Sequence, residues 1–354
     1  MTMKKWTRDS LYATGMALAA TLIALAAPAH AATTTVRFSA FTPSTHFYQR
    51  LILQPWAQDV ERVTEGRVRI AFTAAPLGPM PRNFDMVSSG IADASGGTHG
   101  SIAGRFGITQ ITKTPMMADV DAEAVSVALW KTHEKYLAAA KEHGDTHLLA
   151  LHTNGPAHIF SIAKPIRDVN DFAGMKFVVP SPAEMQLAKN LKAVAVRLPG
   201  SEINDAISKG VVDGAFGSNT GVQGWKAEQY LRHQLVFPGG LMYSTFFIVM
   251  NKSKWESIGA MDRNAIMGVS GLTFAKRAGR VFADEDKRAV EARPSGAVSV
   301  TVANEAMQKS VIDAMHFIDD EWLPQARAAG IDGEAALAYF KREAREYAGS
   351  KGGK

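Results

Sequence analysis

The sequence predicts an α/β chain folded as two domains that face each other across a cleft, and three observations predict it. At 354 residues the chain can fill two hydrophobic cores of ordinary size. After an apolar leader it opens strand–helix–strand, the start of a parallel sheet. No Pro/Gly/Ser-rich or charge-rich linker divides it, so two domains require several crossings of the chain, and such crossings serve as hinges. A composition of 46% hydrophobic and 21% charged residues excludes a disordered or collagen-like chain.

The elements follow in order. Val36–Phe41 alternates as a strand, and Pro43 turns the chain. From His46 to Thr64, apolar Phe47, Leu51, Leu53, Trp56 and Val60 fall near helical spacing; Gly66 ends the helix, and Arg67–Phe72 alternates again. A helix at Arg82–Ser89 stops at Gly90, Ile91–Ala94 is a short strand, and Gly96-Gly97-Thr98-His99-Gly100 reads as a glycine-rich loop. Ala122–Glu142 is a long helix with Gly144 as its stop. Strands are expected at Leu148–His152, Ala157–Ala163, Lys176–Val179, Val194–Leu198 and Phe246–Met250. Ser181-Pro182-Ala183-Glu184 has the form of a capping box with proline at the first helical position. Glu202–Lys209 is a short helix ended by Gly210. Asp262–Glu291 is helical but loosened by Gly268, Gly271 and Gly279. Met307, Val311, Ala314, Met315, Ile318 and Trp322 make one face of a further helix, and the tail from Ser350 frays.

The first 31 residues read as an address. Lys4, Lys5 and Arg8 precede an apolar run from Leu11 to Ala27, and Ala29-His30-Ala31 has the small-x-small form of a cleavage site. The run is rich in Ala and Thr and only just long enough to span a bilayer, so a signal peptide cleaved after Ala31 is the reading preferred to an anchor. Export to the periplasm follows. The formal charge of +5 is weak and its basic residues are scattered, which argues against a nucleic-acid partner. Cysteine is absent, which excludes a disulfide framework, thiolate metal ligands and a cysteine nucleophile.

Catalytic signatures are missing. Gly268-Val269-Ser270-Gly271 has the wrong spacing for a nucleophile elbow, and His133-Glu134 has no second histidine four residues on. His143 and His147 are four apart, but Gly144 and Asp145 break the helix that would align them, so they read as a solvated pair rather than a metal site. No cofactor is expected. An exported hydrolase or isomerase working through an unrecognised carboxylate pair stays open as the alternative function.

Several strings, taken together, resemble the periplasmic solute-binding subunits of tripartite ATP-independent (TRAP) transporters. They are Pro55-Trp56-Ala57, Thr64-Glu65-Gly66-Arg67-Val68, Val87-Ser88-Ser89-Gly90-Ile91-Ala92-Asp93, Asp171-Phe172-Ala173-Gly174-Met175-Lys176 continuing to Val179-Pro180, and Val211-Val212-Asp213-Gly214. The resemblance implies a two-domain Venus-flytrap binding protein with a long helix spanning both domains, no enzyme activity, and a cleft that closes on a small organic solute. That solute, an organic acid among the candidates, is then delivered to membrane permease subunits. The implied division is residues 32–155 with 244–283 as domain I, 156–243 with 284–335 as domain II, and 336–354 as a C-terminal helix and tail. Closure requires the ligand to touch both walls, because only differential affinity shifts the equilibrium.

In such proteins an arginine after "K-I" grips the substrate carboxylate; here Lys176-Phe177 is followed by Val178. The position of a second arginine is held by His158, and that of a usual asparagine by Gly217. Removing one partner of a buried charge pair costs about 3–5 kcal/mol, or more than about a hundredfold in affinity. Either Arg197 supplies the charge from the neighbouring strand, or His158 donates a neutral hydrogen bond, or the ligand is not a simple carboxylate. Thr98 and His99, on a loop after a strand, and Thr42 and His46, at a helix start, are further ligand-binding candidates. Of a potential aromatic wall of Phe216, Trp225, Tyr243 and Phe246, Phe216 and Tyr243 are carried forward.

Overall fold

The computed structural model describes residues 33–116 and 118–351. The leader expected at residues 1–31 lies outside these. The chain builds two sheets, each with its own core, and passes between them several times.

The first sheet holds β1 (Thr34–Ser39), β2 (Val68–Phe72), β3 (Ala94–Thr98), β4 (Thr146–Thr153) and β10 (Thr245–Asn251), in the order β2-β1-β3-β10-β4. Its opening is the expected βαβ unit: β1 lies parallel to β2 with Thr34 opposite Val68, and α1 (Gln54–Val63) connects them. A π-helical turn at Tyr48–Leu53 precedes α1 and shifts its buried face, so that Tyr48, Gln49 and Ile52 point inward rather than Phe47 and Leu51. The supposed glycine loop is largely strand. β3 runs to Thr98 between β1 and β10, and a Cβ at Gly96 would meet the Phe41 ring at 2.6 Å and the Ile248 side chain at 2.7 Å. Glycine is there for close packing inside a sheet, not for a turn. Short α2 (Asn83–Ser88) and α3 (Ala122–Lys135) cover this lobe. α3 ends earlier than its apolar pattern suggests, passing into a 3₁₀ turn at Leu137–Ala140.

The second sheet holds β5 (His158–Ser161), β6 (Lys176–Val178), β7 (Val194–Val196), β8 (Gly214–Gly217), β9 (His233–Val236) and β11 (Ser299–Val302), in the order β11-β9-β5-β8-β6-β7. Helices α4 (Pro182–Asn190), α5 (Gly200–Ser208) and α6 (Asn219–Gly224) belong to it. Both sheet faces are covered: Phe177 and Val179 enter one hydrophobic cluster, and Val178 between them enters the other.

The chain crosses after Thr153 and returns before Thr245. Then come α7 (Lys252–Glu256), α8 (Ala260–Val269) and α9 (Gly271–Glu291). The expected single helical stretch is broken where Ser270 is extended and Gly271 takes φ +47°. α9 is the helix that spans both lobes. Phe274, Ala278 and Phe282 lie in the first core, while the Asp286 carboxylate accepts from Asn219 Nδ2 and Thr220 N at the start of α6, both at 2.9 Å. α10 (Glu305–Ala314) contributes Met307 and Val311 to the second core. Ile318 and Trp322, expected on that same helical face, instead join the first core through a π-helical turn at Phe317–Trp322. α11 (Leu323–Ala328) and α12 (Gly333–Lys351) stay on the first lobe, with Ala326, Phe340 and Ala344 buried there. The second lobe's share of this region is therefore shorter than the resemblance implied.

Candidate functional site

Two cavities open between the lobes, and Thr98, at the end of β3, lines both. The strand ends that form their walls are where open α/β sheets bind ligands.

One cavity, 340 Å³, is aromatic. The first lobe contributes Phe41, Phe47, Tyr48, Phe246 and Phe282, and the second contributes Trp225. Tyr48 stacks near Phe246 at 5.8 Å, and its hydroxyl meets His152 Nε2 at 2.7 Å, fixing the wall from behind. Thr42 and His46 are in the same cavity. Thr42 Oγ1 is enclosed and has no hydrogen-bond partner among the described residues, an open polar position among apolar groups. His46 Nδ1 accepts from Tyr48 N at 3.2 Å, and burial lowers its pKa, so the ring is neutral at pH 7.

The other cavity, 610 Å³, carries two cationic side chains. Arg197, just past β7, faces Lys113 of the first lobe across it, with Ser181 and Thr245 alongside. A third cavity of 600 Å³, walled by Arg232, Arg293 and Glu228, opens outside the cleft on the second lobe. A ligand there would not bridge the two walls, and so has no lever on closure.

The structure divides the expected site residues. Thr42, His46, Thr98 and Arg197 line the cleft. The other candidates are buried. His99 is wholly enclosed, with Nδ1 on Thr245 Oγ1 and Nε2 on His143 Nε2, both at 2.9 Å. Its backbone follows the last residue of β3, and successive side chains of a strand point to opposite sides, so Thr98 faces the cleft while His99 turns inward. His158 accepts from Phe237 N, and Gly217 lies opposite it in the sheet. Val178, 1% exposed, sits in the cluster against which the cleft residue Trp225 packs, rather than on the cleft surface itself. Phe216 packs against Phe177 with ring centres 5.3 Å apart. The Tyr243 hydroxyl donates to Gly239 O at 2.8 Å. The aromatic wall is thus made by Phe246 and Trp225, the two residues not carried forward from the sequence. Nor are His143 and His147 a solvated pair: His143 is buried against His99, and His147 stacks on Trp255 at 3.9 Å.

Lys113 escaped the sequence reading. Its only signal there is a charge set inside the otherwise uncharged stretch Ile108–Met116. Phe282 escaped because it reaches the cleft from α9, where only the packing of its ring against Phe246 of β10, and no spacing along the chain, puts it in the aromatic wall.

Known proteins match this architecture. The family described as "Bacterial extracellular solute-binding protein, family 7" matches residues 38–322. A TRAP periplasmic solute-binding protein from Bordetella bronchiseptica, crystallised with (R)- and (S)-mandelate, superposes with a TM-score of 0.82 at 30% identity, covering 88% of this chain and 99% of that one. A TRAP solute-binding protein from Rhodoferax ferrireducens T118, in complex with copurified benzoate, gives 0.79 at 25% identity, covering 90% and 100%. Among curated relatives, the outer membrane transporter protein TsaT of Comamonas testosteroni is 29% identical over 296 residues, covering 83% of this chain and 87% of its own length. These proteins bind and carry solutes. With its two sheets, spanning helix and interlobe cleft, this chain belongs to the family 7 extracellular solute-binding proteins, the solute receptors of TRAP transporters.

Proposed function

We propose that this receptor captures an aromatic monocarboxylate in the periplasm, reached by cleavage of the leader after Ala31, and delivers it unchanged to membrane permease subunits. The observation that carries the reading is the pairing of the two cleft cavities, one walled by aromatic rings and one by cations, joined at Thr98. A benzene ring suits edge and face contacts with Phe246, Phe282 and Trp225, and a carboxylate suits the cationic side. Both cavities take residues from both lobes, so one ligand filling them favours closure. Mandelate and benzoate in the two similar crystal structures fit this chemistry. The alternative, hydrolysis or isomerisation by a carboxylate pair, finds Glu184, buried beside Lys113, already engaged by Lys113 and Ser181.

Thermal-shift screening tests the reading. Benzoate or mandelate should raise the melting temperature and be recovered chemically intact. Trp225→Ala should weaken binding of an aromatic acid by roughly tenfold or more while leaving an aliphatic monocarboxylate within about threefold, since a ring contact is worth about 0.5–1.5 kcal/mol beyond its buried area. Stabilisation by aliphatic acids alone, or turnover of the ligand, would refute the proposal.

A further inference from the structure

A buried ion pair crosses the cleft. Lys113 follows Thr112, whose hydroxyl donates to Tyr243 O within the first lobe; Glu184 lies in the first turn of α4 in the second. Their side chains are 3% and 2% exposed, and Lys113 Nζ stands 3.7 Å from Glu184 Oε2. At that separation the two attract without a hydrogen bond. Among the described residues none takes a hydrogen bond from the ammonium, which opens onto the 610 Å³ cavity with its three donors unspent. Glu184 is engaged differently from its sequence pattern. Ser181 and Glu184 do not form a capping box; the Ser181 hydroxyl donates to the Glu184 carboxylate, which is turned toward Lys113.

Placing two charges out of water is expensive, and a pair without direct hydrogen bonds regains little of that cost. Such a pair on a cavity wall has binding capacity to offer a ligand. Charge counting says which ligand. Lys113 and Arg197 bring two positive charges to this cavity and Glu184 one negative, leaving a single uncompensated cation. No β6 residue lines this cavity, and Val178 stands where the resemblance leads one to expect arginine.

We propose that Lys113 is the cation that takes the ligand's carboxylate, with Glu184 holding it in position and trimming the cavity's charge so that monoanions are selected over dianions and neutral analogues. This rests on the aromatic-monocarboxylate reading above. Once a carboxylate accepts from one of the free donors, the ammonium gains a directly hydrogen-bonded partner in addition to the distant one while Glu184 keeps Ser181.

Calorimetric titration of the purified protein tests it, with benzoate and mandelate, their amides, and phthalate as the dianion. Wild type should bind the carboxylates at least a hundredfold tighter than the amides. Lys113→Met should lose at least a hundredfold for the carboxylates and leave the amides within threefold; Lys113→Arg should restore part of the loss. Glu184→Gln should shift the phthalate-to-benzoate affinity ratio toward phthalate by tenfold or more. If Lys113→Met binds carboxylates within threefold of wild type while Arg197→Ala loses them, the anchor is Arg197 and the proposal is wrong. Equal losses for carboxylate and amide would make Lys113 merely structural and overturn it too. An unchanged phthalate ratio in Glu184→Gln refutes the charge-trimming role without relying on the lysine variants. A wild type that binds none of the carboxylates brings down the ligand class itself, a failure separate from those of the variants.

Discussion

Acidification from pH 7.5 to 5 should strip the protein of most of its folding stability. Burial holds five histidines with pKa values far below the free value of 6.5: His99 and His152 at about 3, and His133, His147 and His158 at about 4. His143 is lowered as well, first by burial and then by its neighbour His99. The His99–His143 contact adds a geometric reason: their Nε2 atoms share one hydrogen at 2.9 Å, and full protonation would set two N–H donors head to head. Above pH 6.5 folded and unfolded chains are alike at these sites. Below it the unfolded chain binds protons that the folded chain refuses, so stability falls as pH falls, until the folded values near 4 and 3 are reached. Each such site contributes up to about 1.4 kcal/mol per pH unit. Five together approach about 7 kcal/mol per unit, comparable to the whole stability of an ordinary domain. Glu142 and Asp286, whose pKa values burial raises, oppose the trend but are only two. Urea midpoints at pH 7.5, 6.5, 5.5 and 5 would measure it, and His158→Gln should reduce the slope by about one proton. Equal midpoints at pH 7.5 and 5 would show that these rings titrate normally.

Gly279→Ala should destabilise the protein by about 3 kcal/mol, the size of a severe overpacking defect. On helix propensity alone the sign would be the opposite, because alanine is worth about 1 kcal/mol over glycine inside a helix. The difference lies in contact. α9 crosses α3 so closely that a Cβ at 279 would stand 2.6 Å from both Ala122 O and Glu123 Cα. These are backbone atoms, and they yield only if the helices separate. The consequence reaches the cleft, since α9 also carries Phe282 to the aromatic cavity and Asp286 to the start of α6. Ligand affinity should therefore fall along with stability. A denaturation midpoint equal to or above that of the wild type would show that α3 moves aside at no cost.

Local pattern made much of this molecule legible. Period-two alternation located β1 and β2, a continuous apolar run located β10, and the glycines at 66, 90 and 210 marked real left-handed stops. The missing linker announced the crossings, and the motif strings announced the family. Inside the site, legibility declined for a definite reason. A strand shows which residues alternate but not which face is covered, so Phe216 was preferred over Phe246 as an aromatic candidate, and packing reversed the choice by putting Phe216 in a core and Phe246 on the cleft. Ser181 and Glu184 matched a cap because that pattern is local; in the fold the Ser181 hydroxyl donates to the carboxylate itself, which turns toward a lysine about seventy residues away in the chain. The π-helical turn at Tyr48–Leu53 was invisible for a similar reason, since one extra residue in a turn rotates every side chain before it and leaves the apolar composition unchanged.

By itself, then, the sequence determined the two-lobed α/β class and the family, because each rests on residue identity or short-range periodicity. Only the tertiary structure decided which side chains meet in the cleft: Trp225 with Phe246 and Phe282, and Lys113 with Glu184 and Arg197. Those partners are brought together by chain crossings and by the covering of one sheet face rather than the other. Spacing along the chain carries no record of either.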